Sequence, residues 1–311
     1  MKSIASIIIA FIVSSSLVFS QNNSITEEDF KISEFIDGTL ALPKDENSKT
    51  LAIIIAGSGP TDRDGNQNFM KSNALKKLAH QLTQRGIATF RYDKRTVKQV
   101  KTGNIDSATS FDDFVTDAVD VINYFKTADT FSEIYVIGHS QGSLVGMLAA
   151  KSNVDGFISL AGAGNNIGDV ITEQIGKQVP QLKTTTKTIM DTLKTGKTVE
   201  EYPPMLSSIF SKDIQPFMIS WMAYYPSEEI KQLDIPVLIV NGTKDLQVPE
   251  EEAKLLKQSS PEAELVLIEQ MNHVFIEIDG NNLENSKSYN ESSRQISTQL
   301  IDSIEEFIKS H

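Results

Sequence analysis

The chain has 311 residues, 40% of them apolar, enough to bury one large core, and a single domain carrying an insertion is the simplest partition. A net charge of −12, from 41 Asp and Glu against 29 Lys and Arg, leaves no basic stripe to neutralise phosphates, so nucleic acid is excluded as a partner. The absence of cysteine excludes disulfides, a lipoprotein anchor, thiol catalysis and cysteine-bound zinc or iron–sulfur clusters.

Met1 and Lys2 open onto an apolar run over 4–13 and a serine-rich stretch that ends Leu17-Val18-Phe19-Ser20-Gln21. A positive start, a short apolar centre and small residues near the end predict a secretory signal peptide over 1–20, cleaved after Ser20. The run is short for a membrane span, so the mature chain (21–311) is expected to be exported, periplasmic or secreted from a bacterium, without stable membrane insertion. An uncleaved anchor is the alternative. Residues 22–29 read as a loose polar segment. Residues 30–43 read as an opening hairpin that turns at Asp37-Gly38, with Ile32, Phe35, Leu40 and Leu42 as its apolar positions.

From Thr50 onward strand and helix patterns alternate. Strands are predicted over 51–56, 87–92, 133–137, 156–160, 237–241 and 264–269, and helices over 73–85, 111–127, 140–152, 249–258 and 292–309. Apolar runs separated by amphipathic helices predict an α/β fold, a mostly parallel sheet covered by helices on both faces. Ligands of such sheets lie beyond the carboxyl ends of the strands. The stretch 163–226 breaks the rhythm and is too long for one connection, so it reads as a helical cap inserted in the domain. Within it Met205, Phe217, Met218, Trp221, Met222, Tyr224 and Tyr225 are candidates for an apolar substrate pocket, with Met205, Phe217 and Trp221 foremost; simple packing of the cap onto the body is the competing role. Residues 281–290 read as a polar loop without assigned purpose.

Chemistry concentrates at Ile134-Tyr135-Val136-Ile137-Gly138-His139-Ser140-Gln141-Gly142-Ser143-Leu144. A β-branched run stops at Gly-His-Ser-Gln-Gly and a helix-like stretch follows at once, the strand–turn–helix context in which a serine is held strained and exposed. A bare G-x-S-x-G is a weak signal; the flanking elements give it weight. A serine needs a base, and the base an orienting carboxylate. Of the four histidines, His311 is terminal, His80 lies on a helix and His139 points away inside the turn, which leaves His273, just past the strand at 264–269. Asp245 follows the strand at 237–241. Ordinary surface histidine and turn-forming aspartate are the bland alternatives, but Ser140, Asp245 and His273 each follow a buried-looking strand, in the order Ser, Asp, His.

Two further stretches stand beside these: Ala56-Gly57-Ser58-Gly59-Pro60-Thr61-Asp62-Arg63-Asp64-Gly65 and Arg91-Tyr92-Asp93-Lys94-Arg95. Asp62, Arg63 and Asp64 read as ion-paired with Arg91, Asp93, Lys94 and Arg95, bracing the loops, with an arginine contacting substrate as the second reading. With all these residues, from about Thr50 to the C-terminus, the chain resembles the α/β-hydrolases, and more narrowly their bacterial serine-aminopeptidase and esterase-like group. The resemblance implies an oxyanion hole made by the backbone N–H groups of Ser58 and Gln141. The sequence departs from many relatives at Ala56, where they carry a loop-bracing histidine. It implies acyl transfer to water through Ser140, His273 and Asp245, with no cofactor and no metal. A small ester is the favoured substrate. A peptidase acting on short peptides is the alternative, with Asp169, Glu173, Glu200, Glu201 and Asp213 available to hold an α-ammonium. A catalytically silent binding protein is the reading from another class.

Overall fold

Runs such as Thr50–Ile55 and Val237–Gly242 lack the polar alternation of a half-exposed strand, and both are buried along almost their whole length. They lie in a computed structural model that describes residues 25–44, 48–152 and 154–311; the expected signal segment 1–20 lies outside the described residues. Its strands are β1 (Ile25–Lys31), β2 (Asp37–Pro43), β3 (Thr50–Ile55), β4 (Ala88–Tyr92), β5 (Glu133–His139), β6 (Gly156–Leu160), β7 (Val237–Gly242) and β8 (Glu264–Ile268), in one sheet ordered β1-β2-β4-β3-β5-β6-β7-β8. The β1–β2 and β2–β4 pairs are antiparallel, and every pair from β4–β3 to β7–β8 is parallel.

Period-two alternation splits β3 between two cores. Leu51, Ile53 and Ile55 face one, and Ala52 and Ile54 face the other. The second core is covered by α1 (Ala74–Thr83), through Leu75, Leu78 and Leu82, and by the C-terminal helix, through Leu300, Ile304 and Phe307. After α2 (Arg95–Thr102), the first core is covered by α3 (Phe111–Ala128) and α4 (Gln141–Ala149). Helix α3 starts where it does because Ser110 and Asp113 form a capping box, with Ser110 N–H donating to Asp113 Oδ2 at 2.8 Å. Its stripe of Phe111, Phe114, Ala118, Val121, Ile122 and Phe125 repeats at three and four residues, and all six are buried.

Between β6 and β7 the chain builds a set of helices: α5 (Ile167–Gln178), α6 (Lys183–Lys194), the short α7 (Ser207–Phe210), α8 (Gln215–Met222) and α9 (Pro226–Glu229). Helix α10 (Glu250–Ser259) joins β7 to β8, and α11 (Asn282–Ser288) and α12 (Thr298–Ser310) end the chain. The fold is the expected mostly parallel sheet flanked by helices. Among the described residues no helix is long and apolar enough to cross a membrane.

The opening segment differs from expectation. Residues 25–29, expected loose, belong to β1, and the turn falls at 32–36, where Ile32 N–H donates to Ile36 O at 3.0 Å. Asp37 and Gly38 are inside β2 instead. The reason is steric: the Phe90 ring of β4 lies where a Gly38 side chain would be, with Phe90 Cζ 2.1 Å from an ideal Cβ. Gly38→Ala therefore overpacks the sheet, and denaturant unfolding should show a loss of about 1–3 kcal/mol; a variant as stable as the parent would contradict this account.

Candidate active site

At the carboxyl end of β5 the backbone turns through Ser140 with φ 56° and ψ −119°, a conformation that a residue with a side chain rarely adopts. The surroundings enforce it. An ideal Cβ on Gly138 would lie 2.2 Å from Gly142 O, and one on Gly142 2.4 Å from Ile55 O, so only glycines allow α4 this close to β5 and β3. Ser140 N–H donates to Leu160 O of β6 at 2.9 Å, which ties the turn to the next strand.

The loops after β7 and β8 bring Asp245 and His273 together. His273 Nδ1 lies 2.7 Å from Asp245 Oδ2, and both side chains are almost fully buried. The carboxylate accepts, so Nδ1 carries a proton, and in the neutral imidazole Nε2 then keeps its lone pair. Asp245 is itself held, with Oδ1 accepting from Gln247 N–H at 2.7 Å and Val248 N–H at 2.9 Å. The ring of His139, next to Ser140, packs 4.7 Å from that of His273, and its Nε2 donates to His273 O at 2.9 Å. Ser140 and the Asp245–His273 pair thus share one rim of the sheet. No hydrogen bond joins Ser140 Oγ to His273 among the described residues; in unliganded sites such contacts are often long and tighten when substrate binds.

The 56–73 loop closes over Ser140 from β3. A Cβ on Gly57 would stand 3.2 Å from Ser140 Cβ, so this backbone lies directly against the serine. The Ser58 carbonyl accepts from Thr61 Oγ1 at 2.7 Å and Gln67 Nε2 at 2.8 Å. Ser58 N–H and Gln141 N–H, the latter opening α4, donate to no protein acceptor among the described residues. Arg63 grips Asp93 twice, Nε to Oδ1 at 3.2 Å and Nη2 to Oδ2 at 3.0 Å, and Arg91 Nε reaches Asp64 Oδ1 at 3.0 Å. The expected pairing fails elsewhere in the cluster. Asp62 caps the Asp64 and Asn66 N–H groups, and Arg95 turns to Asp113 and Asp117 of α3. Lys94 turns inward, with Nζ donating to Gly57 O at 2.9 Å and to Gln141 Oε1 at 2.5 Å. Burial pushes its pKa down to about 7, opposed by the charge of Asp117.

A cavity of about 740 Å³ opens from Ser140, lined by Ser58, Lys94, Gln141, Val170, Phe217 and Trp221 among others, and most of its wall is apolar. Phe217 and Trp221 also pack on α3: Trp221 stacks on Phe111 at 5.6 Å, and Phe217 meets Phe114 at 5.4 Å. Met205 does not belong to the wall and is 66% exposed. It sits in the short turn Pro204–Leu206, whose inward position is taken by the buried Leu206, while Met218 supplies the methionine that lines the cavity.

Sequence reasoning missed the support under His273. Asn272 accepts Val274 N–H at 3.1 Å and Ile276 N–H at 3.0 Å, and donates to Asn285 Oδ1 at 3.0 Å and Ser288 Oγ at 2.8 Å. Asn285 and Ser288 lie on α11, in the stretch read as a purposeless polar loop. Their spacing of three on a polar helix was the available signal. Asn272→Ala leaves these buried groups unpaired; an expected loss of roughly 1–3 kcal/mol should appear in urea unfolding, together with reduced turnover.

Burial, and after it the neighbouring His273, hold the His139 imidazole down at a pKa of about 3, against an ordinary 6.5. Below pH 6.5 the unfolded chain takes a proton that the folded chain refuses, so stability present above 6.5 is lost as pH falls toward 3. His139→Gln removes this titration, and its stability should fall less steeply than the parent's between those limits. Equal slopes would show that His139 plays no part in acid unfolding.

The family described as serine aminopeptidase, S33, matches residues 69–279, more than half of the chain. Esterase EstD of Thermotoga maritima is 26% identical over 271 residues, covering 83% of this chain and 62% of that protein, so the chain spans less than two thirds of the relative's length. Among solved structures, Est1E from Butyrivibrio proteoclasticus superposes with a TM-score of 0.57 at 19% identity, over 91% of this chain and 98% of the other. An esterase from Pyrococcus furiosus gives a TM-score of 0.56 at 14% identity, over 93% and 91% of the two chains. The likeness to these structures is one of fold. Taken with the serine turn and the family match, it means that the chain belongs to the serine aminopeptidase S33 family and has the α/β-hydrolase fold.

Proposed function

We propose that the protein is a serine hydrolase that cleaves small carboxylic esters through an acyl-enzyme on Ser140. The observation that carries the reading is the buried Asp245–His273 pair, 2.7 Å apart, at the same rim as a serine held at φ 56° and beside an apolar cavity. His273 Nε2 takes the serine proton as Oγ adds to the ester carbonyl, and the displaced π pair becomes the oxyanion. The Ser58 and Gln141 N–H groups, free of protein acceptors among the described residues, receive that charge; one such donor contributes about 3–4 kcal/mol. Collapse expels the alkoxide, which His273 protonates. Water then attacks the acyl group with His273 again as base, the carboxylic acid leaves, and Ser140 regains its proton. Asp245 holds the imidazole tautomer and stabilises its charged form.

The cavity wall supports an ester over a peptide. Asp169, Glu173 and Glu200 are engaged by Lys194, Lys183 and Lys212, and of the five carboxylates considered for an α-ammonium only Asp213 lines the cavity. That EstD is described as an esterase points the same way. Peptidase activity is the second reading, favoured by the family's description and by Asp213. A fluorophosphonate probe should label Ser140 in the purified chain. p-Nitrophenyl acyl esters should turn over faster than aminoacyl anilides, and Ser140→Ala should remove turnover without unfolding the protein. Anilide cleavage exceeding ester cleavage would favour the peptidase. An unlabelled Ser140 would leave a binding protein.

A further inference from the structure

Lys94 is 5% exposed, and no carboxylate lies within 4 Å of its ammonium among the described residues. Placing a cation there is costly, so its partners indicate what it is for. Asp117, whose charge acts on the Lys94 amine, is engaged by Arg95 through two hydrogen bonds of 2.8 Å. Beneath the ammonium lies the face of Phe114, 4.2 Å from Nζ to the ring centre. Two of its N–H groups go to Gly57 O at 2.9 Å and Gln141 Oε1 at 2.5 Å. One acceptor belongs to the loop after β3, whose Gly57 lies against Ser140, and the other to the first residue of α4, next to Ser140 in sequence.

The identity of the first acceptor matters. The Gly57 carbonyl and the Ser58 N–H belong to one planar peptide unit, so fixing the oxygen fixes the direction of the hydrogen. A donor on the oxygen also polarises the unit and makes its N–H a stronger donor, most when the amine is charged, since linked hydrogen bonds strengthen one another in a low dielectric. The second acceptor anchors the residue whose own N–H opens α4. We propose, on the acyl-transfer reading of Ser140, that Lys94 is a positioning residue: one ammonium holds the Gly57–Ser58 peptide and the Gln141 side chain so that both backbone donors are set for the oxyanion before charge develops.

Lys94→Met keeps an unbranched apolar stem of four heavy atoms and removes the terminal nitrogen with its donors. With p-nitrophenyl butyrate its kcat should fall roughly 10–100-fold, the scale of a misplaced catalytic group, while KM stays within about two-fold of the parent. Affinity for an aryl trifluoromethyl ketone, which becomes a tetrahedral oxyanion on Ser140, should weaken by the same factor as kcat/KM. A thermal melt accompanies the kinetics and shows whether the variant is folded at the assay temperature, since the two acceptors lose their donor. Gln141→Met cuts only the helix-side tie and should give a smaller loss in kcat with KM again unchanged; it carries the test should Lys94→Met fail to fold. Parent-like kcat and ketone affinity in a folded Lys94→Met, with Ser140 of the parent labelled by fluorophosphonate, would overturn the role of Lys94 alone. An unlabelled parent would overturn it together with the acyl-transfer reading.

Discussion

Everything at the rim depends on how closely α4 can approach the sheet. Gly142 lies against the Ile55 and Ala56 carbonyls and Gly138 against Gly142, at separations that no Cβ would survive. That proximity forces the chain to reverse within one residue, and Ser140 takes the cost as a positive φ. The cost is recovered from neighbours that are rigid for other reasons: β3 and β6 are buried central strands, and Leu160 of β6 holds the Ser140 N–H. A serine placed this way owes its orientation to the backbone, not to side-chain hydrogen bonds. The same contact sets Gly57 against Ser140 Cβ, so one close approach fixes the serine and the loop above it together.

Around this point each loop is braced by its own polar network, buried to a different depth. Asn272 holds the His273 loop from α11, in the interior, where unpaired groups are costly. Arg63 and Asp93 hold the 56–73 loop at half-buried depth, in a two-pronged geometry that resists rotation. Lys94 sits innermost. The ammonium reaches the Gly57 carbonyl, and the His139 ring fills space beside Gly57, with Nδ1 3.5 Å from where a Cβ would stand.

The sequence made the parallel strands readable because each is a continuous apolar, β-branched run that has no other soluble use. Gly156–Leu160 falls where its pattern predicts, and the others shift by one or two residues at their ends. Ser140, Asp245 and His273 could be singled out because strand ends converge at one edge of such a sheet. What stayed hidden had no periodic signal. Asp37-Gly38 looks like the best turn in its segment, yet the ring of Phe90, fifty residues on, claims the space over Gly38. Helix α2 buries only Val97 and Gln99, and α11 turns Asn285 and Ser288 inward, so neither presents an apolar stripe. Met205 looked like pocket material by composition, but side-chain direction within a three-residue turn is not written in composition. Lys94 was visible only as one charge in a run of charges. Its burial is a tertiary fact.

Helix α3 connects these parts. Its Phe111 stacks on Trp221 and its Phe114 touches Phe217, so the helix carries the apolar wall built by the insertion. The same Phe114 ring lies under the Lys94 ammonium, and Asp117, one turn on, holds Arg95 next in sequence to that lysine. The apolar cavity wall and the Lys94 contact to the Gly57–Ser58 peptide therefore rest on successive turns of one helix. Phe114 thus serves both, touching Phe217 of the cavity wall and lying under the Lys94 ammonium. That arrangement also accounts for an apolar wall beside so many charges. Three carboxylates of the insertion, Asp169, Glu173 and Glu200, pair with lysines away from the cavity, and Asp213 alone of the five considered lines it.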